Sequence, residues 1–146
     1  MSDYAGAVAA IKERFVEAWT ETPIAFANQD PPQEPWPPAS GAWIYFEVIG
    51  NGSDMRSIGV PGDHMWTYRG NIFAHVFVPV GYGVEEPQRL AVAAGEIFRA
   101  ATFYDDGQGS KVVCISPQVD GGGSDADQGN WFRMTATVPF NYYHRG

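Results

Sequence analysis

Cysteine is almost missing from this chain. Cys114 is the single one, so an internal disulfide is excluded and so is any cluster of thiolates around zinc. Long apolar runs are missing too. None approaches the about 18 residues that a membrane span requires. Cations are scarce, with 9 Lys and Arg against 17 Asp and Glu and a net charge of −8. That balance argues against ordinary nucleic-acid binding, which rests on Lys and Arg displacing counterions, and against an anionic membrane surface. The opening Met1-Ser2-Asp3-Tyr4 holds an acid and no Lys or Arg, unlike a secretory leader, so folding in a reducing cytoplasm is expected.

The patterns that carry chemistry are also missing. His64, His75 and His144 lie far apart in the chain, and none has a second ligand at helical or turn spacing, so no metal is expected. His75 sits between Phe73 and Phe77 and reads as a packed or hydrogen-bonded histidine. Asp120, Asp125 and Asp127 invite a calcium reading, but a loop starting at Asp125 places Gly129 at a ligand position and Ala136 where the bidentate Glu belongs. There is no Gly-x-Ser-x-Gly elbow. Cys114 stands in a Val-Val-Cys-Ile run that suits a small buried hydrophobe. Gly81 and Gly83 bend the chain between a strand and a helix, as in a dinucleotide site, but Glu86 takes the place of the third Gly. Glu85 and Glu86 would also repel a phosphate at that helix start. No catalytic residue and no cofactor is expected.

What the chain does have is aromatic weight and turns. Its 146 residues include 5 Trp, 7 Tyr, 9 Phe, 17 Gly and 11 Pro, which reads as one folded domain spanning residues 1–146. Ser2 or Asp3 caps a first helix whose apolar face is Val8, Ile11, Phe15, Ala18 and Trp19, and Pro23 stops it. Ile24 to Phe26 is a short edge strand. Asp30 to Gly41 is Pro-rich, an extended loop anchored by Trp36. Trp43 to Ile49 alternates as a strand, Gly50 to Asp54 turns, and Met55 to Val60 forms a second strand. Trp66 to Tyr68 begins a longer strand region, and Gly70 to Val78 is apolar on both faces, which marks a central strand covered on both sides by helices or by a neighbouring subunit. A small-residue helix from Glu86 to Thr102 buries Leu90, Ala94, Ile97, Phe98 and Ala101. Lys111 to Val119 and Trp131 to Phe140 close the domain as two strands. The order predicts an α+β fold: a mostly antiparallel sheet packed by two α-helices, with long loops and a hairpin extension.

The order of these features resembles the tail terminator proteins of phages with long non-contractile tails, including lambda-type minor tail proteins and relatives in prophages and gene transfer agents. The residues that carry the resemblance are Phe15 and Trp19, then Pro23 to Asn28, and the Pro-rich loop leading into Trp43 to Val48. They continue with Arg69-Gly70, the strand to Pro79, Gly81 and Gly83, the Ala-rich helix to Phe103, and Phe132 and Phe140. The resemblance implies a structural virion protein. It implies self-association into a ring, a hexamer, that caps the tail tube, stops its polymerisation and joins the head–tail connector protein. DNA would pass through without specific binding.

A closed ring needs two complementary patches. The Gly50–Asp63 region and the Pro-rich loop are candidates for one; the apolar strand face or Tyr142 to Arg145 for the other. Trp36, Met55, Arg56, Met65, Trp66 and Arg69 are named as subunit or tube interface candidates from their positions. Two other readings stay open. One is a neighbouring head–tail connector or completion protein. The other is a soluble ligand-binding domain with an aromatic pocket of Trp43, Tyr45, Trp66 and Tyr68.

Overall fold

The computed structural model describes residues 2–38, 41–56, 59–124 and 130–146. Asp3 caps helix α1 (Tyr4–Ala18), its carboxylate accepting the Gly6 N–H at 2.7 Å. Ala7, Ile11, Phe15 and Trp19 are the residues it buries, a straight row at four-residue steps. The expected face was one step broader: Val8 is only half-buried and Ala18 is exposed. The helix also stops before Pro23, because Trp19 turns extended while its N–H still reaches the Phe15 carbonyl.

Strand β1 (Ile24–Phe26) lies parallel to the start of β2 (Trp43–Met55), which runs antiparallel to β3 (Met65–Pro79). The expected turn at Gly50–Asp54 is instead more strand. A bulge between Gly50 and Gly52 absorbs an extra residue, and β2 continues to Met55. The expected strand from Met55 to Val60 is not formed as such: Met55 ends β2, and Ser57 and Ile58 lie outside the described residues.

Helix α2 (Glu85–Glu96) is shorter than its apolar pattern suggested. Phe98 and Arg99 donate to carbonyls only three residues back, and Ala100 takes a left-handed φ of 50°, which turns the chain out of the helix. Phe98 and Ala101 are buried all the same. The chain then makes β4 (Thr102–Phe103), β5 (Lys111–Cys114), β6 (Gln118–Val119), β7 (Gly123–Ser124) and β8 (Trp131–Arg145). The single expected strand from Lys111 to Val119 is broken between β5 and β6, where Pro117 falls.

All pairings but β1–β2 are antiparallel, in the order β1-β2-β3-β8-β5-β4, with β6 and β7 also on β8. The fold is α+β. The core gathers Phe15, Phe98, Leu90 and Ala94 from the helical side with Ile44, Phe46, Ile72, Val76, Val138 and Phe140 from the sheet. Phe15 stacks on Phe46 at 4.5 Å between ring centres, with Trp19 and Phe98 beside it. Both helices therefore pack on one face of the sheet. Of the two expected covers for the central strand, helices lie on one side only; the other side is left to the alternative, a neighbouring subunit.

Candidate functional site

The face of β3 turned away from the helices carries Phe73, His75 and Phe77. Register sets Glu47, Tyr45 and Trp43 of β2 beside them on one side, and Thr137, Thr135 and Arg133 of β8 on the other. None of these residues belongs to the helix-side core. His75 is held at both ring nitrogens, Nδ1 against Thr135 Oγ1 at 2.7 Å and Nε2 against Glu47 Oε1 at 2.8 Å. Its ring is stacked between Phe73 and Tyr45. The reading of His75 as a hydrogen-bonded histidine holds. The row fixes side chains across three strands on a face that no helix covers.

At one end of this face Trp43 stacks flat on Phe77 at 4.1 Å, while Trp36 and Trp131 meet its ring edge-on. Trp36 thus anchors the Pro-rich loop, as its position suggested. The indole N–H of Trp43 is buried without a hydrogen-bond partner among the described residues. Just beyond, the β3–α2 connection exposes Val80, Tyr82 and Val84, alternating with Gly81 and Gly83 at φ 98° and 77°. Those positive φ values need glycine, so the three large side chains are thrown outward from a tight turn. The sequence reading took this turn as scaffold and missed its exposed apolar residues. The alternating Val-Gly-Tyr-Gly-Val was the signal.

The opposite end is an arm formed by the far parts of β2 and β3 with the end of β8 alongside. Met55 pairs with Trp66, and the Arg56 N–H bonds the Met65 carbonyl at 2.6 Å. Arg69 holds Asp54 at 2.5 Å. His64 and Gly146 exchange two backbone hydrogen bonds, and Arg145 grips Asp63 at 2.7 Å. That hydrogen bond from the guanidinium holds the Asp63 carboxyl below its ordinary range. Of the six named candidates, then, Met55, Arg56, Met65, Trp66 and Arg69 come together on the arm. Trp36 lies at the other end. Strand alternation puts Met55 and Trp66 on the helix-side face and Met65 and Arg69 on the bare face.

Trp43, Tyr45, Trp66 and Tyr68 do not converge on a pocket. Trp43 and Tyr45 belong to the bare face, whereas Tyr68 stacks on Tyr4 of α1 at 5.2 Å and Trp66 reaches the Gly146 carbonyl. A shallow hollow near the far end of the arm is lined by Asp63, His64, Met65, Gly107 to Gly109 and Arg145. Among the described residues no three His, Cys, Asp or Glu are placed to hold a metal ion. Of the proposed calcium loop, Asp125 and Asp127 lie outside the described residues; the Asp120 carboxylate instead accepts the Gly122 and Thr135 N–H groups. Burial pushes the Cys114 thiol up to about 12, which keeps it protonated at neutral pH. No helix of the described residues is long and apolar enough to cross a membrane.

A family model described as phage tail terminator protein matches residues 7–140. No curated protein matches the chain. A solved structure at 18% identity, covering 92% of this chain and 91% of its own, superposes with a TM-score of 0.64. At that identity the likeness shows the fold alone.

Proposed function

The chain belongs to the phage tail terminator family, and on that premise we propose that it closes the end of a phage tail tube. Copies assemble into a ring, a hexamer, on the head-proximal end of the growing tube. The ring ends polymerisation of the tube protein and presents its other side to the head–tail connector protein. It works as a structural component of the virion, without catalysis or cofactor, and prophages and gene transfer agents are settings in which it would act.

The observation that carries the reading is the one-sided packing of the sheet. Both helices lie on one face, and the other face keeps a row of aromatic and hydrogen-bonded side chains from three strands. Trp43, Phe77 and Thr135 of that face are buried with no helix over them, and Tyr45, Phe73 and His75 are half-buried. A ring subunit needs surfaces of this kind to meet its neighbours. The net charge of −8 per chain, repeated around a ring, also suits a channel that DNA crosses without sticking.

The test is mass in solution by light scattering, repeated with purified tail tubes and followed by electron microscopy. Rings, or density on the head-proximal end of the tube, are the expected result. A protein that never rings and leaves tubes unchanged would overturn the reading. Density at the portal with bare tube ends would transfer it to a connector or completion protein.

A further inference from the structure

The arm and the Val80–Glu85 turn are unlike in shape and opposite in character. On the arm, Met55 and Val60 are 51% and 67% exposed. Arg56 beside them has no ion pair among the described residues. On the turn, Val80, Tyr82 and Val84 are exposed. Glu85 follows directly, and it too has no ion pair among the described residues, since Arg89 is taken by Glu86 and Glu21. Each end thus offers apolar side chains with one uncompensated charge, positive on the arm and negative on the turn.

The two ends cannot meet within one chain. They sit at opposite ends of β3, whose 15 residues span roughly 45 Å at the rise of an extended strand. The chain's net charge is −8, so one cation on the arm makes no nucleic-acid site. The outer edge of β2 beyond Phe46 also has no strand partner among the described residues, because β1 reaches only Ile44 to Phe46. An open edge of this length marks a protein contact.

We propose that the arm of one copy docks on the Val80–Glu85 turn of the next, with Met55 and Val60 against Val80, Tyr82 and Val84, and Arg56 against Glu85. The occupant of each patch is a second copy of this chain. The contact is heterologous: each copy gives its arm to one neighbour and its turn to the other, which is what closes a ring. The pairing rests on the ring reading above and names the side chains that build it.

Charge reversal tests it. Arg56→Glu and Glu85→Arg each place like charges in the contact, and each alone is expected to raise the concentration needed for assembly by about tenfold or more. Both positions are exposed, so Arg56→Glu should melt like the unaltered protein, while Glu85→Arg, which puts a cation on the first turn of α2, should melt slightly lower and still fold. The double variant should assemble again. So should an equimolar mixture of the two single variants. When they alternate around an even-numbered ring, the arm of each variant meets the turn of the other, and the charges are opposite at every contact. Loss of a merely structural residue cannot be repaired by mixing. Rings that form equally well in both single variants would overturn the pairing and leave the ring reading standing. Unaltered protein that forms no ring, alone or on tubes, would overturn both. An Arg56→Glu protein that rings normally but no longer binds tubes would assign the arm to the tube protein and overturn the pairing.

Discussion

Adding one methyl group at Gly70 should destabilise this protein, against the usual direction for such a change. Gly70 lies between Gly50 of β2 and Phe140 of β8, at the level where the sheet body passes into the arm. Its φ is outside the left-handed range, so the backbone accepts alanine, and in open space the substitution would stabilise by about 0.4–1 kcal/mol by narrowing the unfolded ensemble. The space is not open. A Cβ there would sit 2.6 Å from the Ile49 carbonyl oxygen and 2.8 Å from two ring carbons of Phe140. The carbonyl belongs to the strand ladder, and Phe140 is 1% exposed and cannot swing away. Overpacking of this kind costs about 1–3 kcal/mol. The net expectation for Gly70→Ala is a loss of about 1–2 kcal/mol, a sizeable part of the stability of a domain this size. Urea unfolding followed by tryptophan fluorescence measures it. A second variant locates the cause: Phe140→Leu withdraws the ring edge, so the double variant should be less destabilised than the sum of the singles by about 0.5 kcal/mol or more. A Gly70→Ala protein as stable as the parent, or a strictly additive double variant, would refute the steric account.

Three further outcomes follow from the same packing. Asp3→Ala removes the side-chain acceptor of the Gly6 N–H and should cost about 1 kcal/mol by the same urea measurement. Cys114, buried with its thiol raised to about 12, should resist an aromatic disulfide reagent in the native state at pH 8 and react promptly in urea. Its sign is fixed: the unfolded thiol ionises around its ordinary value of 9.0, while the folded one stays neutral to about 12, so stability should fall as pH rises through that window. His75→Ala should cost about 1–3 kcal/mol, since it leaves Glu47 and Thr135 without their shared partner. Glu47→Gln keeps an acceptor for the ring and should cost less; equal losses would show that the carboxylate's charge, rather than the neutral hydrogen bond, carries the interaction.

Elements with strong periodicity were legible in the sequence. The α1 row, the alternation of Trp43–Val48 and of β3, and the buried Val-Val-Cys each show a single local pattern that burial then obeys. The misreadings share a cause. Gly50, Gly52 and Asp54 have turn composition, yet a bulge lets them stay in a ladder because Gly70 and Arg69 answer them across the strand. Ile97, Phe98 and Ala101 continue the helical spacing of α2, yet the left-handed Ala100 ends it while still delivering two of them to the core. Both outcomes depend on partners distant in sequence. The candidate site was half legible for the same reason. Trp36, Met55 and Arg69 could be named from their positions in the chain, but no local pattern tells which sheet face the helices leave uncovered, or that Tyr82 points outward.

A chain with one helix-free face, one strand edge open among the described residues and two apolar ends must also avoid associating in the wrong way, and its details show how. The β2 edge, uncovered beyond Phe46, is bent by the Gly50–Gly52 bulge a few residues on, which spoils it as a long flat template for another strand. The arm carries the Arg69–Asp54 pair on one face, so two arms laid together would stack charge on apolar surface. The exposed Val80, Tyr82 and Val84 are separated by glycines rather than joined in a strand, which keeps their patch small and irregular. Each device weakens like-with-like contact more than contact between unlike ends. A sheet protected this way is poorly suited to forming two-fold pairs and well suited to head-to-tail closure, the geometry that a ring on the end of a tube requires.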